Sequence, residues 1–381
     1  SFFDDVEGFE RKDSEFICQQ IPEKSKVLDN IKSIIEAVED KFGADQLEIS
    51  SDIQELLNEG KDEAKLFKVS LENGEKIKRS VGELNPQLSK NFKRILKPFQ
   101  KMSVEHMIQV SNAANFSVPG SGKTTITYAA LSNWLEEGTI DKILVIGPTS
   151  SFFPWEDEYR LCFGRKPHSR RIKGELANDL PNLNHELFLM HFSTAMNKVQ
   201  KIIEFMSKNN VALIIDESHN IKSPEQKKWA RTARNIAPYA EHRMILTGTP
   251  MPNSAKDLWV QITFLWPHEM PLKTSRSFKK YTRDHGIGEW KDTLYPLFTR
   301  VKKEELGLKK PKFKKYFVDL FPIQSEIYHA IAAKTLDEIY NFRDRGQIHK
   351  FRKAKIIRML QAASNPTLIH EKADEFTLTN E

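Results

Sequence analysis

The stretch Ser117-Val118-Pro119-Gly120-Ser121-Gly122-Lys123-Thr124-Thr125 holds the residue types that grip a polyphosphate. Gly120 and Gly122 let the backbone turn its N–H groups inward around an anion, because glycine reaches unusual dihedrals at no steric cost. Lys123 supplies a cation for the β- and γ-phosphates, and Thr124 offers a hydroxyl to Mg²⁺. The residues that follow, TTITYAALSNWL, read as a helix whose N-terminal dipole points at the anion. Pro119, Ser121 and Thr125 complete the expected cofactor-binding set. The usual spacing G-x-x-x-x-G-K-[ST] would put glycine at 117; Ser117 stands there and is small enough not to crowd the loop.

A phosphate loop needs an acidic partner. LIIDESH gives Asp216 at the end of an apolar run, with Glu217 next. A carboxylate at a strand end can hold Mg²⁺ through water. Glu217 can orient and deprotonate an attacking water. MILTGTP brings Thr247, Gly248 and Thr249 to the end of another apolar run, so that hydroxyls sit beside the expected nucleotide.

These residues need strands and helices to bring them together. KILVIGP (142–148), ELFLMH (186–191), VALIIDE (211–217) and RMILTGT (243–249) are short and nearly continuous in apolar residues. That suits strands buried on both faces of a parallel sheet. Amphipathic helical segments alternate with them, which predicts an α/β fold with right-handed crossovers. In such sheets ligands bind outside the carboxyl ends of the strands. Residues 92–268 make up this lobe.

Residues 1–91 predict a small α+β module of unnamed role. KVLDNIKSIIEAVEDKF has helical spacing, with Val27, Leu28, Ile31, Ile34, Ile35 and Val38 apolar. Ser51 and Gln54 form a capping-box pattern for a second, short helix. KLFKVSLENGEKIKRSV reads as a hairpin with Asn73-Gly74 as its tight turn. Residues 269–381 predict a helical, basic extension. It carries Lys302, Lys303, Lys309, Lys310, Lys312, Lys314 and Lys315, then Arg343, Arg345, Lys350, Arg352, Lys353, Lys355 and Arg358. The run at 302–315 reads equally as a solvated hinge and as a nucleic-acid contact.

The chain of 381 residues has a net charge of +6 and a pI near 9.0. That balance leans toward a polyanionic partner without deciding for one. Cys18 and Cys162 are too few and too distant for a disulfide framework or a metal knuckle, which fits a reducing compartment. The start SFFDDVEGFERK lacks the pattern of a signal peptide, and no apolar run approaches the length of a membrane helix. The expectation is an intracellular protein, cytoplasmic or nuclear, with no membrane partner.

The ordered set LKPFQ (96–100), SVPGSGKTT (117–125), ILVIGPTSSFFPWEDEY (143–159), HFSTA (191–195), LIIDESHNIKSPEQKKWARTA (213–233) and MILTGTPMPNSAKDLWVQITFLWP (244–267) resembles the first motor lobe of superfamily-two helicase-like ATPases. Within these it is similar to the Swi/Snf (sucrose-non-fermenting) family of double-stranded-DNA translocases, over roughly residues 92–330. The resemblance implies a RecA-like P-loop NTPase lobe that takes ATP with Mg²⁺. It implies that Gln100 reads adenine with Phe99 against the base, and that Lys123, Thr124, Asp216 and Glu217 act as above. It gives His219, Thr247, Gly248 and Thr249 a relay role, and puts Pro148, Thr149, Ser193, Thr194 and Lys222 against DNA. Trp155, in the family's Trp-x-x-Glu step, reads equally as lobe core and as a contact.

Two residues differ from the family pattern: Ser117, and Ser218 where Ala is more usual. The family's second lobe, with its arginine fingers, has no counterpart after KIIRMLQAASNP (355–366), so slow turnover by this chain alone is expected. In a longer protein that lobe would be a partner, and residues 1–91 a place for a protein partner. Three function classes fit: a double-stranded-DNA translocase ATPase, a strand-separating DNA or RNA helicase, and a non-catalytic nucleic-acid-binding module.

Overall fold

The computed structural model describes residues 9–12, 15–18, 28, 31–36, 49–80, 84–218, 227–250, 255–267, 294–308, 314–340 and 356–364. The chain divides into two compact units, Ser1–Leu308 and Lys309–Glu381. The boundaries expected at 91/92 and 268/269 are therefore not where the compact units divide.

The first unit is built on a seven-stranded sheet. Its strands are β3 (Ala113–Asn115), β4 (Lys142–Gly147), β5 (Ser169–Ile172), β6 (Leu187–His191), β7 (Val211–Asp216), β8 (His242–Leu246) and β9 (Phe298–Thr299), after a separate antiparallel hairpin, β1 (Phe9–Lys12) with β2 (Glu15–Cys18). The spatial order is β5-β6-β4-β7-β8-β3-β9, and every neighbouring pair is parallel. The four strands read from the sequence are all present. Their residues 143–147, 187–190, 211–215 and 243–246 are buried, as strands covered on both faces must be. β3, in the interior, and β5 and β9, at the two edges, are the strands of this sheet that apolar patterning does not reveal.

The helices are α1 (Ser51–Arg79), α2 (Pro98–Val110), α3 (Lys123–Glu137), α4 (Phe152–Phe163), α5 (Phe192–Asn197), α6 (Val199–Lys208), α7 (Lys227–Ile236), α8 (Ala255–Leu265) and, in the second unit, α9 (Pro322–Tyr340). Within the first unit one large hydrophobic core joins the sheet to its helices, with Trp155, Trp266, Tyr128 and Tyr159 its largest fully buried side chains. In the second unit, residues 356–364 are also helical, and the Gln324 side-chain amide donates to the Ala363 carbonyl.

The amino-terminal part corrects the sequence reading. Residues 51–79 form one helix of 29 residues, so the short helix and the hairpin at 65–81 are not formed. The helix is capped at Ser50, with no side-chain cap bond; Ser51 bonds Asp52, and Gln54 bonds Asn58. Gly74 is buried in mid-helix, not at a turn, and a Cβ there would lie 2.0 Å from the Pro296 carbonyl oxygen. Glycine is needed for close backbone approach. The buried stripe of α1 runs Leu57, Gly60, Ser70, Gly74, Ile77, with Phe67 edge-on to Trp266 at 5.2 Å. Three of those five residues, Gly60, Ser70 and Gly74, are small or polar, which is why the stripe does not read as amphipathic. The helix read around Ile31 is present at 31–36 and packs through Leu28 and Ile31 on Leu57.

α1 is also tied to the sheet by charge. Arg243, at the start of β8, is buried and pairs with Glu63 at 3.1 Å, while also donating to the Ala237 carbonyl. Asn112 accepts from the Arg243 backbone N–H.

Candidate nucleotide site

β3 ends at Asn115 and the chain enters the loop. Asn115 Oδ1 accepts the Ser117 N–H at 3.1 Å, and Ser121 N–H closes onto the Val118 carbonyl. Gly120 (φ 83°) and Gly122 (φ 78°) take left-handed dihedrals, the conformation for which glycine is needed. α3 then starts at Lys123, aiming its free N–H groups at the loop's interior. Space above Gly120 is open: a Cβ there would meet nothing within 4 Å.

Lys123 Nζ donates to the Ser117 carbonyl at 3.2 Å, across the mouth of the loop. Burial pulls its ammonium below the ordinary lysine range, and the carboxylates of Glu217 and Asp216 oppose that shift. Lysine and the acidic pair therefore share one electrostatic site, though they come from opposite halves of the lobe. Thr124 is half-buried, and no hydrogen bond from its hydroxyl is found among the described residues.

The acidic pair ends β7. Asp216 Oδ2 accepts from the Trp155 indole Nε1 at 2.9 Å, and Oδ1 accepts from the Glu217 backbone N–H at 2.9 Å. Glu217 has φ 51°, a strained left-handed conformation for a residue with a side chain. Gly147 ends the neighbouring β4, where a Cβ would meet Asp216 Cβ at 3.1 Å. Ser218 is fully buried, and its hydroxyl bonds Gln261 Oε1 on α8; Gln261 Nε2 in turn donates to the Pro250 carbonyl. The serine that departs from the family pattern thus joins the acidic pair to the turn after β8.

That turn meets the loop directly. Thr247 N–H donates to the Asn115 carbonyl, and Thr247 Oγ1 accepts from Thr249 N–H. A Cβ on Gly248 would lie 3.0 Å from Pro119 Cδ. Lys123, Asp216, Glu217, Thr247, Gly248 and Thr249 are thus gathered at the carboxyl ends of β3, β7 and β8, as the sequence predicts. Pro148 and Thr149 follow β4, and Ser193 and Thr194 follow β6, on the same edge one and two strands beyond β7. Thr149 and Ser193 are exposed, and the Ser193 hydroxyl bonds His191 Nδ1 at 2.8 Å. His219 and Lys222 lie outside the described residues.

Three residues differ from expectation in what their side chains do. Gln100 is buried with both ends of its amide engaged: Oε1 accepts from Lys97 N–H, and Nε2 donates to the Ser121 carbonyl at 3.0 Å. It braces the loop from behind. Phe99 beside it is half-buried. The Thr125 hydroxyl donates to Glu158 at 2.6 Å, where Arg94 also binds both carboxylate oxygens at 2.7 Å. Ser117 is fully buried, and its hydroxyl accepts the Val301 N–H at 2.9 Å. Phe116 and Val118 N–H groups donate to the Thr299 and Val301 carbonyls on either side. Serine at 117 stitches the phosphate loop to the segment leaving β9. The contributions of Glu158, Gln261 and Val301 were missed; the Trp-x-x-Glu spacing signalled the first, and nothing local signalled the other two.

This arrangement defines a phosphate-loop ATPase lobe, and comparison with known proteins names its family. The profile of the SNF2-related domain matches residues 99–368, and the chain belongs to that family. It carries a Swi/Snf-type ATPase core. The CHD3-type chromatin-remodeling factor CHR7 of Arabidopsis thaliana is 25% identical over 280 residues, 69% of this chain and 22% of that protein. Helicase SWR1 of Cryptococcus neoformans var. neoformans serotype D (strain B-3501A) is 26% identical over 208 residues, 49% of this chain and 16% of that protein. The chain spans at most 22% of the length of these two relatives. Among solved structures, the Sulfolobus solfataricus SWI2/SNF2 ATPase core in complex with dsDNA is similar at TM-score 0.49 and 21% identity, covering 76% of this chain and 62% of that one.

Proposed function

We propose that this chain is the nucleotide-binding part of an ATP-dependent double-stranded-DNA translocase. The observation that carries the reading is the meeting of Lys123, Asp216 and Gly248 around one open glycine loop. A triphosphate fits that loop. Its N–H groups and Lys123 take the phosphate oxygens, and the Ser117 carbonyl releases Lys123 to do so. Mg²⁺, when bound, would neutralise phosphate charge, with Thr124 and Asp216 the residues to hold it. Glu217 orients the attacking water and takes its proton. Gln100 and Phe99 flank the base, with Pro119, Gly120, Ser121, Gly122 and the Thr125 backbone around the phosphates.

Coupling follows the contacts between the turns. A phosphate that moves Pro119 presses on Gly248, and a change at Asp216-Glu217 reaches Pro250 through Ser218 and Gln261. Pro148, Thr149, Ser193, Thr194 and Lys222 hold one phosphate backbone, independently of base sequence. The working compartment is intracellular, and nuclear if the chain shares the chromatin role that CHR7's name gives that relative.

The test is DNA binding by the wild-type chain and by a Thr149→Glu/Ser193→Glu double variant, in filter binding at several salt concentrations. The reading expects duplex binding that weakens with salt, and weaker binding at all salts in the variant. Equal binding by both proteins, or a preference for single strands, refutes the duplex-tracking assignment.

A further inference from the structure

We propose that α4 fixes the metal-holding carboxylate against the phosphate loop, with Trp155 and Glu158 as positioning residues. The inference rests on the ATPase reading above and adds residues to its site.

The two side chains lie three apart on one face of α4, where helical neighbours align. Each reaches a different half of the site. The Trp155 indole N–H holds Asp216 Oδ2 at 2.9 Å, while Glu217 N–H holds Oδ1. A carboxylate held at both oxygens is confined to one rotamer, and each oxygen keeps a lone pair for a metal-bound water. Glu158 accepts from Thr125 at 2.6 Å, one residue beyond the proposed metal hydroxyl Thr124. Arg94 fixes Glu158 in turn. One helix therefore grips the acidic strand end and the first turn of α3 together, and sets the distance between them.

Trp155 is itself locked. It is 1% exposed, its ring meets Tyr128 of α3 edge-on at 5.1 Å, and its carbonyl accepts the Tyr128 hydroxyl at 2.9 Å. A purely packing role would need the ring and not the N–H. The N–H points at the one carboxylate that the site needs in a defined orientation.

The experiment compares ADP affinity with and without Mg²⁺ by calorimetry on the full chain. The variants are Trp155→Phe and a substitution at 155 by benzothienylalanine, which keeps the bicyclic shape but has sulfur where the N–H was. Tyr159→Phe trims α4 elsewhere and serves as the packing control. The proposal expects the Mg²⁺ enhancement of affinity to fall about 10-fold in both position-155 variants, in line with loss of a charge-assisted hydrogen bond. Metal-free affinity and the Tyr159→Phe ratio should stay at wild type. An unchanged Mg²⁺ ratio in the benzothienylalanine protein overturns the positioning role alone. A wild-type chain that binds no nucleotide overturns the ATPase reading and this inference with it.

Discussion

Replacing Gly74 by alanine should destabilise the protein, against the usual sign for a helix. In an exposed helix interior the change stabilises by about 1 kcal/mol, because alanine loses less backbone freedom on folding. Gly74 does not have a positive φ, so the backbone accepts alanine. The contact does not. The new Cβ would lie 2.0 Å from the Pro296 oxygen, 2.8 Å from its carbonyl carbon and 3.0 Å from its Cα, all backbone atoms with no rotamer to yield. The helix and the 295–299 segment must part by about 1 Å to restore ordinary contact. That stretches the Lys78 ammonium bond to the Phe298 carbonyl (2.7 Å) and the Ser70 bond to the Val110 carbonyl (2.9 Å). Overpacking costs about 1–3 kcal/mol and each weakened bond about 1 kcal/mol. After the helix gain is subtracted, a net loss of about 2–4 kcal/mol remains. Thermal unfolding followed by circular dichroism should show a midpoint lower by about 4–8 °C. Gly60→Ala is the comparison: its Cβ would meet Leu28 Cδ2, the end of a flexible side chain, and should cost less. A Gly74→Ala protein as stable as wild type, or more so, would refute the close approach of α1 to Pro296.

Ser117→Ala leaves the buried Val301 N–H without its acceptor, which costs about 1–2 kcal/mol and should weaken nucleotide affinity several-fold; Ser117→Thr, if it keeps the bond, should recover part of it, and calorimetry reads both. Glu63→Leu strands the buried Arg243 guanidinium and should cost about 3 kcal/mol in urea unfolding, because the Ala237 carbonyl is its other acceptor among the described residues. His106 is fully buried against the Pro296 carbonyl, and burial, helped by the Lys78 charge, pushes its pKa down to about 3. The unfolded chain takes up that proton near pH 6.5 and the folded one does not, so stability is lost as pH falls from about 6.5 toward 3. The loss reaches on the order of 4 kcal/mol. Urea midpoints measured against pH should show a shallower acid slope in His106→Gln.

The parts of this protein that were legible in the sequence are those where one residue type has one physical use. Glycines at 120 and 122, a lysine opening a helix and two acids closing a buried strand leave little freedom of interpretation. The continuous apolar runs of β4, β6, β7 and β8 likewise fix a parallel sheet. The misread parts are those where a residue has two uses. Asn73-Gly74 carries a turn signal, yet the glycine serves a close contact between distant backbones. Thr125 looks like part of the phosphate grip, yet its hydroxyl serves α4. Gln100, assigned to the base through the family resemblance, also holds the loop, its amide spanning the helix cap and the Ser121 carbonyl. Partners such as Glu63 with Arg243, or Ser117 with Val301, lie 180 and 184 residues apart, and no local pattern encodes them.

Calorimetric titration of the chain with ATP in the presence of Mg²⁺, wild type beside Lys123→Ala, tests directly whether this loop is a nucleotide site. The wild type should bind ATP at one site per chain, and the variant should bind at least about 10-fold more weakly, because a charge-assisted contact to phosphate is lost. Absence of binding in the wild type, or equal binding by both proteins, would contradict the assignment of this loop as a nucleotide site.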